Sequence, residues 1–141
     1  KKFPDINIVD SDFPQPAGVE GAIAVTSDML GKNKVDGVFA CNLDTAAGAK
    51  AAVMKHDGSV KMVGFDSDEG LIDGLRTGVI DSLVIQNPVM MGYLGVTFVV
   101  KKIEGGGGDL PKIKDTGVEL VTKKKLDDPQ IRELLGLKAA K

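Results

Sequence analysis

At 141 residues, 43% apolar and 27% charged, the chain is long and hydrophobic enough to bury one compact core, which argues against a disordered segment. Its 18 basic and 20 acidic residues give a formal net charge of -2, and apart from Lys123-Lys124-Lys125 the cations are scattered, so no nucleic acid partner is expected. The single cysteine, Cys41, excludes an internal disulfide framework and a cysteine-rich metal centre. Its place inside the apolar run Phe39-Ala40-Cys41 assigns it to the core as a small hydrophobe.

The opening Lys1-Lys2-Phe3-Pro4-Asp5 carries no apolar stretch ending in small residues, so no export signal is expected within this sequence. The first strand is expected at Ile6-Asn7-Ile8-Val9, followed by a loop through Asp10 to Pro16, where two prolines and several side-chain acceptors oppose regular pairing. A helix then starts near Ala17 or Gly18. Val19, Ala22, Ile23, Thr26, Met29 and Leu30 recur at helical spacing on one face, and Gly31 is placed to end it.

A second strand over Val35 to Cys41 leads through Asn42 into an alanine-rich helix that Asp44 or Thr45 can cap and that Asp57-Gly58 should stop. The small residues Ala46 to Ala52 let that helix approach the sheet closely. A third strand follows at Val60 to Phe65. Asp66-Ser67-Asp68 then forms a loop and cap, and a helix runs from Glu69 to Arg76 with Gly78 at its end. The fourth strand should end at Gln86, with Asn87 capping the next helix and Pro88 in its first turn, where a missing N–H does no harm.

That helix, about Val89 to Ile103, has no polar face before Lys101-Lys102 and therefore expects cover on all sides. No charge occurs from Leu83 to Val100, yet Gln86-Asn87-Pro88 breaks the run well short of the ~20 residues a membrane span needs, so no direct membrane insertion is expected. The glycines at 105 to 108 read as a flexible connection, Lys114 to Val121 as an extended segment, and Asp127 to Leu137 as a terminal helix with Pro129 in its first turn. Lys123 to Lys125 reads as a solvated face beside that helix. Strand and helix alternating at this spacing predict an α/β fold, an open parallel sheet with helices on both faces, one Rossmann-like lobe.

Three strands end alike, each in a residue able to bond a hydroxyl: Asn42, Asp66 and Gln86. In an open parallel sheet such ends share one margin, where small molecules bind. An amide, a carboxylate and a second amide suit a polyol, since each sugar hydroxyl both donates and accepts. Phe65 beside Asp66, and Phe13 in the first loop, are candidate aromatic surfaces for the C–H side of a sugar ring. Asp66 also stands where a simple helix cap is common.

Catalytic patterns are missing. The sequence has no nucleophile elbow, no phosphate loop, one histidine, His56, at a helix end, and no metal set beyond the acidic cluster Asp66, Asp68 and Glu69, which lacks the lysine and paired acids of a phosphoryl acceptor. No enzyme, cofactor or metal is expected.

The segments Phe39 to Ala49, Val63-Gly64-Phe65-Asp66-Ser67, Ile85 to Tyr93, and Asp115 to Thr122 with Leu126-Asp127-Asp128-Pro129 together resemble the C-terminal half of the ribose-binding-protein type of bacterial solute-binding protein. The resemblance implies a two-lobed, periplasmic-binding-protein fold that captures a monosaccharide and delivers it to an ABC permease, with Asn42, Phe65, Asp66 and Gln86 at family ligand positions. It also divides the chain: residues 1–86 and 119–141 in the C-terminal lobe, and 87–118 as a hinge crossing whose helix and strand belong with the N-terminal lobe. Most of that other lobe has no counterpart here. The expected partner is therefore the N-terminal lobe or a second copy of the chain, because apolar surface left wet costs roughly 25 cal/mol per Å².

Phe13 does not align cleanly with the family's aromatic contact, and the tetraglycine is atypical. The resemblance implies a periplasmic location, or lipid anchoring outside the cell, for the full-length parent. It implies millimolar sugar affinity or none for the chain alone. The alternative is the effector core of a lac-repressor-type regulator, which shares the fold and the sugar margin; no helix-turn-helix is present, and Asp115 to Pro129 is more similar to the transport branch.

Overall fold

The computed structural model describes residues 3–56, 60–106, 108 and 110–137. Its elements in chain order are α1 (Val19–Lys32), β1 (Gly37–Phe39), α2 (Leu43–Val53), β2 (Lys61–Phe65), α3 (Glu69–Thr77), β3 (Ser82–Gln86), α4 (Pro88–Ile103), β4 (Val118–Thr122), a 3₁₀ turn at Lys123–Lys125, and α5 (Pro129–Leu134). They form an open four-stranded sheet in the order β1-β2-β3-β4. The first three strands are parallel and joined through helices, whereas β4 returns antiparallel to β3, with Val118 opposite Gln86 and Thr122 opposite Ser82.

Local chemistry explains the element ends. The Asp68 side chain accepts from Leu71 N at 2.7 Å and starts α3, while Gly78, at φ 88°, closes it in the left-handed conformation that glycine adopts without a Cβ penalty. Asn87 caps α4 through Met90 N at 2.9 Å, with Pro88 in the first turn. Asp128 caps α5 in the same way.

Register assigns side chains to the two sheet faces, because residues opposite one another share a face and neighbours along a strand alternate. One face carries Val38, Met62, Gly64, Leu83, Ile85, Glu119 and Val121; all are buried except the half-buried Val38 and, at the sheet edge, the exposed Glu119. α2 lies close over it. A Cβ on Gly64 would stand 2.9 Å from Leu83 Cδ2 and 3.3 Å from Ala46 Cβ. α1 crosses α2 at similarly close range, since a Cβ on Gly48 would stand 2.8 Å from the backbone of both Ile23 and Val19. Leu71, Ile72 and Leu75 of α3 and Ile131 of α5 complete this core.

The other face carries Phe39, Val63, Phe65, Ser82, Val84, Gln86, Val118, Leu120 and Thr122. Of these only Ser82 is buried, and Phe39, Val118 and Leu120 are 58%, 58% and 52% exposed. α4 is equally bare: no residue in its 16 is buried.

Several expectations need correcting. Ile6 to Val9 is not a strand; it has no ladder partner among the described residues, and Ile6, Ile8 and Val9 are exposed. Apolar alternation supplies the tendency to extend, but a strand needs a neighbour's N–H and C=O groups, and β1 is hydrogen-bonded to β2 alone. The strand expected over Val35 to Cys41 is only Gly37–Phe39. Cys41, expected in the core, is exposed, because β1 ends two residues earlier and the chain has left the sheet to begin α2. α1 continues one residue past Gly31 and ends with Asn33 as its C-cap. The expected stop at Asp57-Gly58 falls outside the described residues, as does part of the glycine connection.

Candidate functional site

β1, β2 and β3 are parallel, so their carboxyl ends lie along one margin of the sheet, and Asn42, Asp66 and Gln86 follow or end these strands there. Val118, opposite Gln86, begins β4 at the same margin. The three candidates have different local roles.

Asp66 is not a cap; Asp68 performs that task. Instead Asp66 takes φ 68°, and it is the one non-glycine residue at positive φ among those described. The left-handed region costs an L-residue on the order of 1 kcal/mol, least for Asp and Asn. Its backbone N–H donates to Val84 O at 2.9 Å, one bond beyond the end of β2. Its side chain accepts from Gln86 Nε2 at 2.7 Å. Both side chains are half-buried. This carboxylate–amide pair, joining adjacent strand ends, presents an oxygen of Asp66 and the unused parts of the Gln86 amide next to each other.

Asn42 does cap. The expectation that Asp44 or Thr45 caps α2 is corrected: the cap is Asn42, whose Oδ1 accepts from Thr45 N at 2.9 Å, while Asn42 N donates to Thr45 Oγ1 at 3.0 Å. This reciprocal box normally uses Glu or Gln at the third helical position. Thr45 does the same with a shorter side chain. The structural duty occupies Oδ1 and leaves the Asn42 NH₂ without a partner among the described residues. No bond within the described residues links Asn42 to the Asp66–Gln86 pair; they share the margin, not a network.

Phe65 is half-buried on the open sheet face, and Phe13 lies on the exposed first loop at 81% exposure. The sequence reading passed over Phe39. It stands on the same face as Phe65, since Phe39 pairs with Val63 and Phe65 is two residues beyond Val63. Its signal was available in the alternation of β1, but the run Val38-Phe39-Ala40-Cys41 is apolar throughout and hides which side faces out.

Two shallow clefts lie elsewhere. The larger, about 560 Å³, runs between the base of α4 and α5 and is bordered by Asn87, Glu119, Lys125 and Gln130. The second, about 410 Å³, lies between the start of α3 and Leu135. Neither includes the three margin residues. Among the described residues no three His, Cys, Asp or Glu side chains group to hold a metal, and no helix is long and apolar enough to cross a membrane.

Comparison with known proteins agrees with an open α/β fold. Residues 1–107 match a family model described as a periplasmic binding protein domain. The chain belongs to the periplasmic binding protein family. One curated member, the ribose import binding protein RbsB of Haemophilus influenzae, is 30% identical over 105 residues, which are 74% of this chain and 35% of that protein.

Among solved members of the family, a carbohydrate transporter solute-binding protein from Agrobacterium radiobacter in complex with D-arabinose superposes with a TM-score of 0.84 at 33% identity. The match covers 95% of this chain and 45% of that one. An ABC transporter solute-binding protein from Agrobacterium vitis bound to alpha-D-tagatopyranose gives 0.85 at 25% identity, over 99% of this chain and 46% of that one. The chain thus spans about a third of its curated relative and just under half of these two solved structures.

Proposed function

We propose that this chain is the sugar-reading lobe of a non-catalytic receptor that captures a monosaccharide for an ABC importer, with Asn42, Asp66 and Gln86 as ligand contacts and Phe65 as apolar surface beside them. The observation that carries this reading is the strained Asp66, held at positive φ and bonded by Gln86 at 2.7 Å at the carboxyl margin of a parallel sheet. A backbone conformation with an energetic cost, supporting a polar pair that caps nothing, has the character of a binding site rather than of a fold element. The import proteins among the relatives favour this over the core of a transcription regulator. Phe13, on its exposed loop, is the weakest contact of the set and depends on that loop folding over the margin.

The bare surfaces fit a receptor completed by further polypeptide. An uncovered sheet face, an unpaired extended segment at Ile6 to Val9, a free outer edge on β1 and an apolar α4 with nothing buried are the surfaces an N-terminal lobe, or a second copy of the chain, would cover. On this reading residues 1–86 and 119–141 form the C-terminal lobe, and 87–118 cross a hinge toward the other one. Closure of two lobes on the sugar would then hide it from water and create the surface that the permease recognises. The location that goes with this role is the periplasm, or the outer face of the membrane for a lipid-anchored parent.

The test is a titration of the chain with a panel of pentoses and hexoses, followed by NMR. The expected outcome is millimolar binding with shifts centred on residues 40–42, 65–67 and 84–86, because one lobe supplies only part of the contacts. Submicromolar binding by the monomer would contradict the half-site reading. Sugar-induced shifts that fall elsewhere and spare these residues would overturn the assignment of the sugar to this margin.

A further inference from the structure

The two amides at the margin cannot choose their orientation. A backbone N–H only donates, so the Asn42 atom 2.9 Å from Thr45 N must be its oxygen. The Thr45 hydroxyl lies 2.9 Å from the same oxygen and 3.0 Å from the Asn42 carbonyl oxygen, and it shares its one proton between them. A carboxylate only accepts, so the Gln86 atom 2.7 Å from Asp66 Oδ1 must be the NH₂ nitrogen. Each orientation is imposed by a partner that cannot reverse its role.

What remains for a ligand is polar in a fixed sense. Asn42 offers two N–H donors, while its oxygen already accepts from Thr45 N and part of the Thr45 hydroxyl proton. Asp66 offers acceptor oxygens only. Gln86 keeps its carbonyl oxygen and one N–H, so it alone can do either.

We propose that Thr45 is a specificity-determining positioning residue: its N–H fixes the Asn42 oxygen inward and its hydroxyl competes for the second lone pair, which makes the β1 end of the margin predominantly a donor. The sugar oxygen read there acts as an acceptor, while the hydroxyl read by Asp66 donates its hydrogen. This inference rests on the sugar reading above and adds the direction of each hydrogen bond. The resulting preference is for a monosaccharide that places an oxygen lone pair toward β1 and a hydroxyl hydrogen toward β2, so the two ends of the ligand are not interchangeable.

Thr45 and its cap can be separated from ligand contact. Asp caps helices as well as Asn, so Asn42→Asp keeps the fold while replacing the exposed donor by an acceptor. The experiment titrates the chain, by NMR, with the best sugar of the panel and with its monodeoxy and monodeoxyfluoro analogues; fluorine accepts weakly and never donates.

One position should tolerate fluorine better than hydrogen, marking contact with Asn42, and another should tolerate neither, marking Asp66. Asn42→Asp should weaken the parent sugar about tenfold, the effect of one lost hydrogen bond, and abolish the preference for fluorine over hydrogen. Thr45→Val should narrow that preference, and Thr45→Ser, which keeps the hydroxyl, should restore it. A purely structural role for Thr45 would weaken all analogues equally and leave the ratio unmoved, which overturns the proposal while the sugar reading stands.

A ligand-free measurement bears on the same point. Nuclear Overhauser contacts from the Asn42 NH₂ protons to the Thr45 amide proton should be weak; strong ones mean the reversed orientation and also overturn it. Sugar-induced shifts that spare Asn42, Asp66 and Gln86 overturn the reading of this margin and take this inference with it.

Discussion

The two faces of the sheet are made from the same strands, yet one is closed and the other open. Met62, Gly64, Leu83, Ile85 and Val121 are buried on the first, whereas Phe39, Val118 and Leu120 are more than half exposed on the second. Both faces are largely apolar. The difference lies in what is available to cover them: α2 sits over the first at a distance only glycine and alanine permit, while α4, the most hydrophobic helix, buries no residue at all. Hydrophobicity in a sequence therefore reports a demand for cover, met either within the chain or by another polypeptide.

That contrast predicts a graded response to substitution. Leu83→Ala, on the closed face, should lower unfolding free energy by about 3 kcal/mol in urea denaturation, combining lost transfer energy with a cavity that close-packed neighbours cannot fill. Gly48→Ala should cost about 2 kcal/mol in the same assay, because the new methyl meets backbone of α1 rather than a movable side chain. Asp68→Ala, removing the α3 cap, should cost about 1 kcal/mol.

At the open end of the scale, Leu120→Thr and Val96→Ser should each change stability by no more than about 0.5 kcal/mol in the chain alone. A loss on the open face as large as that of Leu83→Ala would show that it is covered in solution, and the oligomeric state measured by sedimentation would then identify a second copy. Asp66→Gly sharpens the comparison differently. It relieves a left-handed residue, so stability should stay level or rise by about 0.5 kcal/mol, while sugar-induced NMR shifts at the margin disappear.

Much of this was legible in the sequence. The parallel βα repeat, the Asn87-Pro88 start of α4, the Asp68 cap and the left-handed Gly78 follow from side-chain chemistry that acts within a few residues. The shared margin of Asn42, Asp66 and Gln86 follows from strand ends and a rule of topology. What failed depended on partners distant in sequence. Ile6 to Val9 has the alternation of a strand but no neighbour, and Cys41 sits in an apolar run that outlasts its strand. The Asn42–Thr45 box was missed because Thr is an unusual residue at its third position. The Gln86–Asp66 bond was hidden for another reason: 20 residues separate its partners, and only strand register brings them together.

Strand pairing at Gln86 has a mechanical consequence. The chain departs from the sheet directly after Gln86 and comes back at Val118, its partner in the ladder. The described residues between them hang from two adjacent attachment points, as a door hangs from one jamb. Any swing of that excursion turns about a line beside Gln86, the residue that also grips Asp66. With Gln86 as the sugar contact proposed above, pivot and contact would coincide, and a load placed on the amide would be felt at the joint without a relay through the core.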